Sequence, residues 1–314
     1  MVKTSFDLAG VTFKNRVFVA SGTYGYGDDC LDVADVAKLG GIITKSLSMK
    51  PRDGNDPTRI VETPSGMLNS IGLANIGVDR FVGDKLPFLR TLDTGIIANI
   101  AASTIDEYCE VLERLEEEDG IDVYEINVSC PNVQEGGLSF GTSCELTEEI
   151  TRRLRDRTRK PLIIKLTPNV THISEYARAV EAAGADAISV INTLIGMAVD
   201  IETRKPVLST ITGGLSGPAI RPIALAKVYE SSRAVKIPVF GIGGIMDERD
   251  AIAFLIVGAS AVQVGTANFI DPSAGIKIVE GISRYCEDHG IADVASLVGS
   301  LDAKENISVV DSWL

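Results

Sequence analysis

The strongest constraint on the fold is an alternation repeated along the chain. Eight short apolar runs, VFVASG (17–22), GIITKS (41–46), GIIANIA (95–101), VYEINVSC (123–130), LIIKLTP (162–168), AISVINT (187–193), PVFGIGG (238–244) and AVQVGTA (261–267), each give way to Gly, Ser, Thr, Asn or Lys. Between them lie stretches with helical spacing of apolar residues, clearest at Thr104–Glu118, Cys144–Thr158, His172–Ala183, Pro222–Arg233, Asp247–Val257 and Pro272–Asp288. Cap signals open several of these, with Thr104 followed by Glu107, and Thr171 or Ser174 ahead of an apolar stripe. Near-continuous apolar strands separated by amphipathic helices imply parallel pairing covered by helices. Eight such units predict a closed (β/α)8 TIM barrel, with an open doubly wound sheet as the alternative.

A hairpin precedes the first unit, KTSFDLAGVTFKNR (3–16), turning at Ala9-Gly10. No domain boundary, low-complexity tract or repeat beyond the alternation is visible, so residues 1–314 read as a single domain, a size that barrels reach. Two connections are too long for simple turns, Leu47–Val78 and Leu194–Pro218. Both follow barrel strands and should lie on the carboxyl-end face, where barrel sites form.

Charge and cysteine usage narrow the class. Thirty basic against 43 acidic residues leave a net charge of −13, which argues against sequence-independent binding to nucleic acid or anionic lipid. The five cysteines, Cys30, Cys109, Cys130, Cys144 and Cys286, are scattered and include no C-x-x-C, so neither a disulfide framework nor a zinc or iron–sulfur ligand set is expected. With two histidines and no membrane-length apolar run, no metal site is predicted, and a soluble, cytoplasmic protein with reduced thiols is the expectation. MVKTSFDLAG carries neither a long apolar core nor a cleavage site.

The chemistry concentrates at the strand ends. In DVYEINVSCPNVQEGGLSFG (122–141) an apolar run breaks at Cys130-Pro131-Asn132, because proline cannot donate to a ladder. A thiol so placed could be a nucleophile, a proton-transfer group or a ligand, or a buried structural cysteine. Ser21, Lys45, Ser46, Asn99, Asn127, Lys165, Asn192, Thr193, Gly243, Gly244, Gly265 and Thr266 occupy corresponding positions and would converge on one mouth. Lysines and asparagines directed into a ring need partners, which a polar ligand would supply. Gly241-Ile-Gly-Gly and Gly265-Thr266, after the last two strands, suit a phosphate approached by backbone N–H groups, or simply tight turns. GIGGIM lacks the third glycine of a dinucleotide fingerprint, and no P-loop is present.

EINVSCPN, Lys45-Ser46, LNSIGLAN (68–75), IANI (97–100), IIKLTPN (163–169), VINT (190–193), GGLSGPAIRPIAL (213–225) and GIGGI together resemble the dihydroorotate dehydrogenase family, from about Phe6 to the end of the last helix. A cysteine in the Cys-Pro-Asn segment resembles class 1 of that family; the membrane-associated class carries serine there and an extra N-terminal segment. VQEGGLSFGT resembles subclass 1B, in which a homodimeric catalytic core joins two partner subunits holding FAD and a [2Fe–2S] cluster, a heterotetramer that passes electrons to NAD. Subclass 1A, a homodimer reducing fumarate, is the alternative.

The resemblance implies FMN in the barrel mouth. Its phosphate would meet Gly243-Gly244 and Gly265-Thr266, with Gly217 nearby, and Ile191 would also contact the cofactor. Lys45 and Lys165 would face the N1/O2 side, and Ser21, Ser46, Asn99 and Asn127 the ring or ribityl chain. Dihydroorotate would be held by Lys45, Asn69, Ser70, Ile71, Gly72, Leu73, Asn127, Asn192 and Thr193, with Cys130 as base in its oxidation to orotate. Other readings are a lysine Schiff-base aldolase, which the two strand-end lysines would suit, and a barrel that binds a phosphorylated metabolite without catalysis. The pyrimidine-reducing domain of dihydropyrimidine dehydrogenase is also similar, but is one module of a much longer chain.

Overall fold

The computed structural model describes residues 2–28, 34–129 and 140–302. An antiparallel hairpin of β1 (Phe6–Leu8) and β2 (Val11–Phe13) comes first, turning as expected through Ala9 and Gly10, both with positive φ. The barrel strands are β3 (Val17–Val19) and β4 (Gly41–Ile43), then β7 (Gly95–Ile100), β8 (Val123–Asn127), β9 (Leu162–Leu166), β10 (Ala187–Val190), β15 (Val239–Ile242) and β16 (Ala261–Val264). All eight pair in parallel in a closed ring, β16 returning to β3 through Val262–Val17 and Val264–Val19. The open sheet is thereby excluded.

The intervening strands lie in the two long connections. β5 (Ile60–Thr63) and β6 (Gly66–Asn69) belong to the first; β11 (Leu194–Met197), β12 (Val199–Asp200), β13 (Lys205–Pro206) and β14 (Thr212–Ser216) belong to the second. The sequence reads both as loops. They instead join through β14 and β6 in one antiparallel sheet ordered β11-β14-β6-β5, with Gly214 opposite Asn69 and Leu215 opposite Leu68.

Helices α1 (Val78–Arg80) and α2 (Leu86–Leu89), joined by a wider turn over Phe81–Lys85, were not expected. Six others match the periodic stretches: α3 (Ile105–Glu116), α4 (Cys144–Arg155), α5 (Ile173–Ala182), α6 (Arg221–Ala234), α7 (Glu248–Ile256) and, after the short and unpredicted α8 (Ala267–Ile270), α9 (Ala274–Asp288). Thr104 caps α3 by accepting from the Glu107 N–H at 3.1 Å. At α5 the expected cap is replaced: His172 holds the position without a side-chain bond, and Glu230 of α6 accepts from both the N–H and the hydroxyl of Ser174. A carboxylate from the neighbouring helix thus satisfies a donor that the local sequence leaves open.

Strand alternation sorts the core into two shells. Outward residues such as Val19, Ile42, Tyr124, Ile164 and Val262 pack under the helices. Inward, one side chain per strand fills the floor: Phe18, Ile43, Ile97, Val123, Ile163, Ala187, Phe240 and Ala261. Phe6, Leu8 and Phe13 of the hairpin close that floor from below. Phe18 sits edge-on to Phe13 at 5.0 Å and to Phe240 at 5.2 Å between centroids, a favoured aromatic geometry.

Candidate active site

Two residues beyond the floor, the same faces carry Ala20, Lys45, Asn99, Glu125, Lys165, Ser189, Ile242 and Gln263. The interior therefore changes from apolar to polar within one step toward the carboxyl ends of the strands. Glu125 is at the centre and is fully buried. Its Oε1 accepts from Asn99 Nδ2 at 2.6 Å, and its Oε2 accepts from Gln263 Nε2 at 2.6 Å and Ser189 Oγ at 2.9 Å. Lys165 Nζ lies 3.9 Å from Oε1. Asn99 in turn accepts from Ser46 Oγ at 2.5 Å, and its N–H donates to Thr44 Oγ1.

This network revises one expectation. Asn99 and Lys165 do not depend on a ligand for partners, because the barrel supplies them. Glu125, Ser189, Gln263 and Thr44 are absent from the sequence-based set, although a signal existed. Val123, Glu125 and Asn127 alternate along one strand, so placing Asn127 in the mouth places Glu125 on the same face, one step deeper.

Above this layer, Asn127 Oδ1 accepts from Asn192 Nδ2 at 3.1 Å and from the Ser129 N–H, while Tyr108 Oη donates to the Asn127 carbonyl at 2.6 Å. Asn192 Oδ1 accepts from the Thr193 N–H at 2.8 Å. Asn169, also absent from the predicted set, donates to the Thr193 carbonyl and accepts from the Ile195 N–H, fixing the path from β10 into β11. Ile191 is buried at the end of β10, with its N–H bonded to the Ile242 carbonyl. Lys45 is half-buried beyond the end of β4, with its N–H bonded to the Gly25 carbonyl, and Ser21 is half-buried beyond the end of β3.

The segment Asn69–Leu73 leaves β6 toward the mouth. Asn69 Nδ2 donates to the Gly214 carbonyl, the Ser70 N–H to the Arg59 carbonyl, and the Ile71 carbonyl accepts from the Asn55 N–H. Gly72 and Leu73 both have positive φ. Ser70 Oγ is buried without a partner, an acceptor and donor available to a ligand. Asn75 anchors the far end, donating to Ser48 Oγ and to the Leu73 carbonyl, both at 2.8 Å.

On the opposite rim three glycine segments meet. A Cβ at Gly244 would stand 2.8 Å from the Gly217 carbonyl oxygen, and one at Gly217 would stand 2.8 Å from Gly66 Cα. Gly217, Gly243 and Gly244 all have positive φ. Thr266, at the start of α8, donates to Ser216 Oγ at 2.9 Å, which brings Gly265-Thr266 alongside. Cys130 lies outside the described residues, as does Cys30. Cys109 and Cys286 are buried and burial pushes both thiols up, as it does for the partly buried Cys144, in keeping with packing roles.

A parallel eight-stranded barrel with a sealed apolar floor, a polar mouth at the carboxyl ends and a glycine-lined rim defines a (β/α)8 barrel of the enzyme type. The profile of the family described as dihydroorotate dehydrogenase matches residues 3–285, and the chain belongs to that family. It is 53% identical over 297 residues to the "Dihydroorotate dehydrogenase B (NAD(+)), catalytic subunit" of Geotalea uraniireducens (strain Rf4), covering 95% of this chain and 97% of that one. The protein of the same name from Parabacteroides distasonis is 47% identical over 302 residues, covering 96% and 99%. A crystal structure of DHODH in complex with ferulenol from Eimeria tenella shares the fold, with a TM-score of 0.78 and 21% identity over 95% of this chain and 88% of that one.

Proposed function

We propose that this chain is the catalytic subunit of an NAD-linked dihydroorotate dehydrogenase of pyrimidine biosynthesis, oxidising (S)-dihydroorotate to orotate with FMN in the mouth of the barrel. The observation that carries the reading is end-to-end similarity, at about half identity, to relatives named as NAD(+)-linked catalytic subunits, on a chain whose mouth gathers the lysines and asparagines this chemistry uses. The donor set fits FMN. Gly217, Gly243 and Gly244 form a cradle that Cβ atoms would close, suited to the phosphate together with Gly265 and Thr266. Lys165 and Lys45 suit the N1/O2 side of the ring, and Ser21, Ser46, Asn99, Asn127 and Ile191 its remaining edge and ribityl chain.

When bound, FMN supplies the acceptor for the hydride that leaves C6 of dihydroorotate. This chain's residues orient the substrate and take its proton. Asn69, Ser70, Ile71, Gly72 and Leu73, with Asn127, Asn192 and Thr193, offer the donors and acceptors that a pyrimidine carboxylate needs, asparagine supplying both. Cys130 Sγ takes the proton from C5, next to a carbonyl. An ordinary thiol has a pKa of about 8.5, so turnover should rise toward alkaline pH as Cys130 ionises. A partner subunit carrying FAD and a [2Fe–2S] cluster would pass the two electrons to NAD, in a heterotetramer of two catalytic and two partner subunits. A cytoplasmic location belongs to this proposal; among the described residues no helix is long and apolar enough to cross a membrane.

The test is an acceptor assay on the isolated chain. Flavin absorbance, bleaching by dihydroorotate, and turnover with an artificial dye but not with NAD or fumarate are expected. Brisk fumarate reduction would place the chain in subclass 1A, and a colourless protein would refute the flavin reading. In Cys130→Ala, FMN should remain bound while dihydroorotate bleaches it orders of magnitude more slowly, as loss of a general base typically costs about 10²–10⁴-fold. Unchanged bleaching would remove Cys130 from the mechanism.

A further inference from the structure

We propose that Glu125 is a positioning residue that sets the charge of the barrel mouth: from beneath, it holds the Lys165 ammonium and the Asn99 amide in place and offsets the lysine's charge toward the flavin. The inference rests on the FMN reading above. One carboxylate ties together side chains of five barrel strands, through Asn99, Lys165, Ser189, Gln263 and its own strand β8. Glu125 has no exposed surface and Lys165 is only 6% exposed.

Two observations separate this role from packing. First, the barrel could accommodate a neutral amide at position 125. Gln263 Oε1 is buried without a partner, so a half-turn of the Gln263 amide would offer an acceptor to an amide N–H there. Hydrogen bonding alone therefore does not require a charge. Second, Glu125 Oε1 lies 3.9 Å from Lys165 Nζ in a layer shielded from water, where a carboxylate offsets much of a neighbouring positive charge and a neutral amide of the same shape does not. A cation here favours the anionic reduced flavin. The carboxylate moderates that preference, and its removal should strengthen it.

The experiment is anaerobic titration of the wild-type apoprotein, Glu125→Gln and Glu125→Asp with oxidised and with reduced FMN, read by flavin fluorescence. The ratio of the oxidised to the reduced dissociation constant is expected to rise about tenfold in Glu125→Gln, equivalent to a midpoint shift of about 30 mV for a two-electron couple. Glu125→Asp, which keeps the charge, should leave the ratio near wild type while weakening both affinities. An unchanged or lowered ratio in Glu125→Gln, beside a wild type that binds FMN normally, overturns the proposal alone. A wild type that binds neither form overturns the flavin reading and the proposal with it. If Glu125→Gln does not fold, Ser189→Ala serves: with one donor to Oε2 gone, the carboxylate pairs more strongly with Lys165 and the ratio should fall. A ratio in Ser189→Ala that holds or rises overturns the proposal.

Discussion

Gly244 shows how little freedom the rim has. Its φ is +75°, and an added Cβ would stand 2.7 Å from Arg221 Cβ as well as 2.8 Å from the Gly217 carbonyl. Gly244→Ala should destabilise the protein by about 1–3 kcal/mol, the usual magnitude for a strained backbone position, and should release FMN on gel filtration where the wild type retains it. Glu230 makes a second prediction. Burial works against its ionisation, but the Ser174 N–H and hydroxyl and the Lys227 ammonium outweigh this and hold the carboxyl below its ordinary value. A depressed carboxyl contributes stability above its unfolded pKa, about 4.3, and loses it as pH falls through the folded value. Glu230→Gln should therefore be less stable than wild type by about 1–2 kcal/mol at neutral pH. In urea titrations the two should converge as pH drops below about 4.

Among elements, the sequence is most legible where periodicity is strong. The eight barrel strands and six long helices follow from apolar spacing. The insertion sheet does not, because β14 reads TGGLS, β5 is half exposed, and Asn69 meets Gly214 across 145 residues. Pairing at that range leaves no local signature. The helical stretch from Val78 to Leu89 is hidden in a similar way: Gly83 and Pro87 interrupt its pattern, although Pro87 falls in the first turn of α2, where the missing N–H does no harm. In the site, strand-end polar residues were legible because they end apolar runs. Glu125, Ser189 and Gln263 lie inside such runs, and their importance emerges only when the ring closes. The insertion sheet carries its own prediction. A Cβ at Gly214 would collide with the side chain of Thr193, a proposed substrate contact, so Gly214→Ala should disturb β14 and Thr193 together. It should raise the Kd for orotate several-fold while FMN content stays at wild-type level, measured by titrating the flavin spectrum with orotate.

At the scale of the molecule, closure depends on a seam between the two ends of the chain. Arg16 Nη1 donates to the Ser260 carbonyl at 2.7 Å, its guanidinium lies 5.2 Å over the Phe6 ring, and the Val262 N–H donates to the Arg16 carbonyl. Burial lowers the Arg16 pKa, with Asp293 acting in the opposite sense. Arg16→Met leaves the Ser260 carbonyl without this donor, and should lower global stability by about 1.5–3 kcal/mol, the range for a hydrogen bond to a charged group. Because β3 and β16 complete a single ring, flavin release and loss of helical circular dichroism should shift to lower temperature together. If flavin release alone moved, the seam would be a local feature.

The aromatic plug beneath the ring has a further consequence. Phe6, Phe13, Phe18 and Phe240 make the barrel a sack rather than a pipe. A ligand that enters at the carboxyl-end mouth therefore has no way out through the floor, and among the described residues water has no rear route to the buried carboxylate.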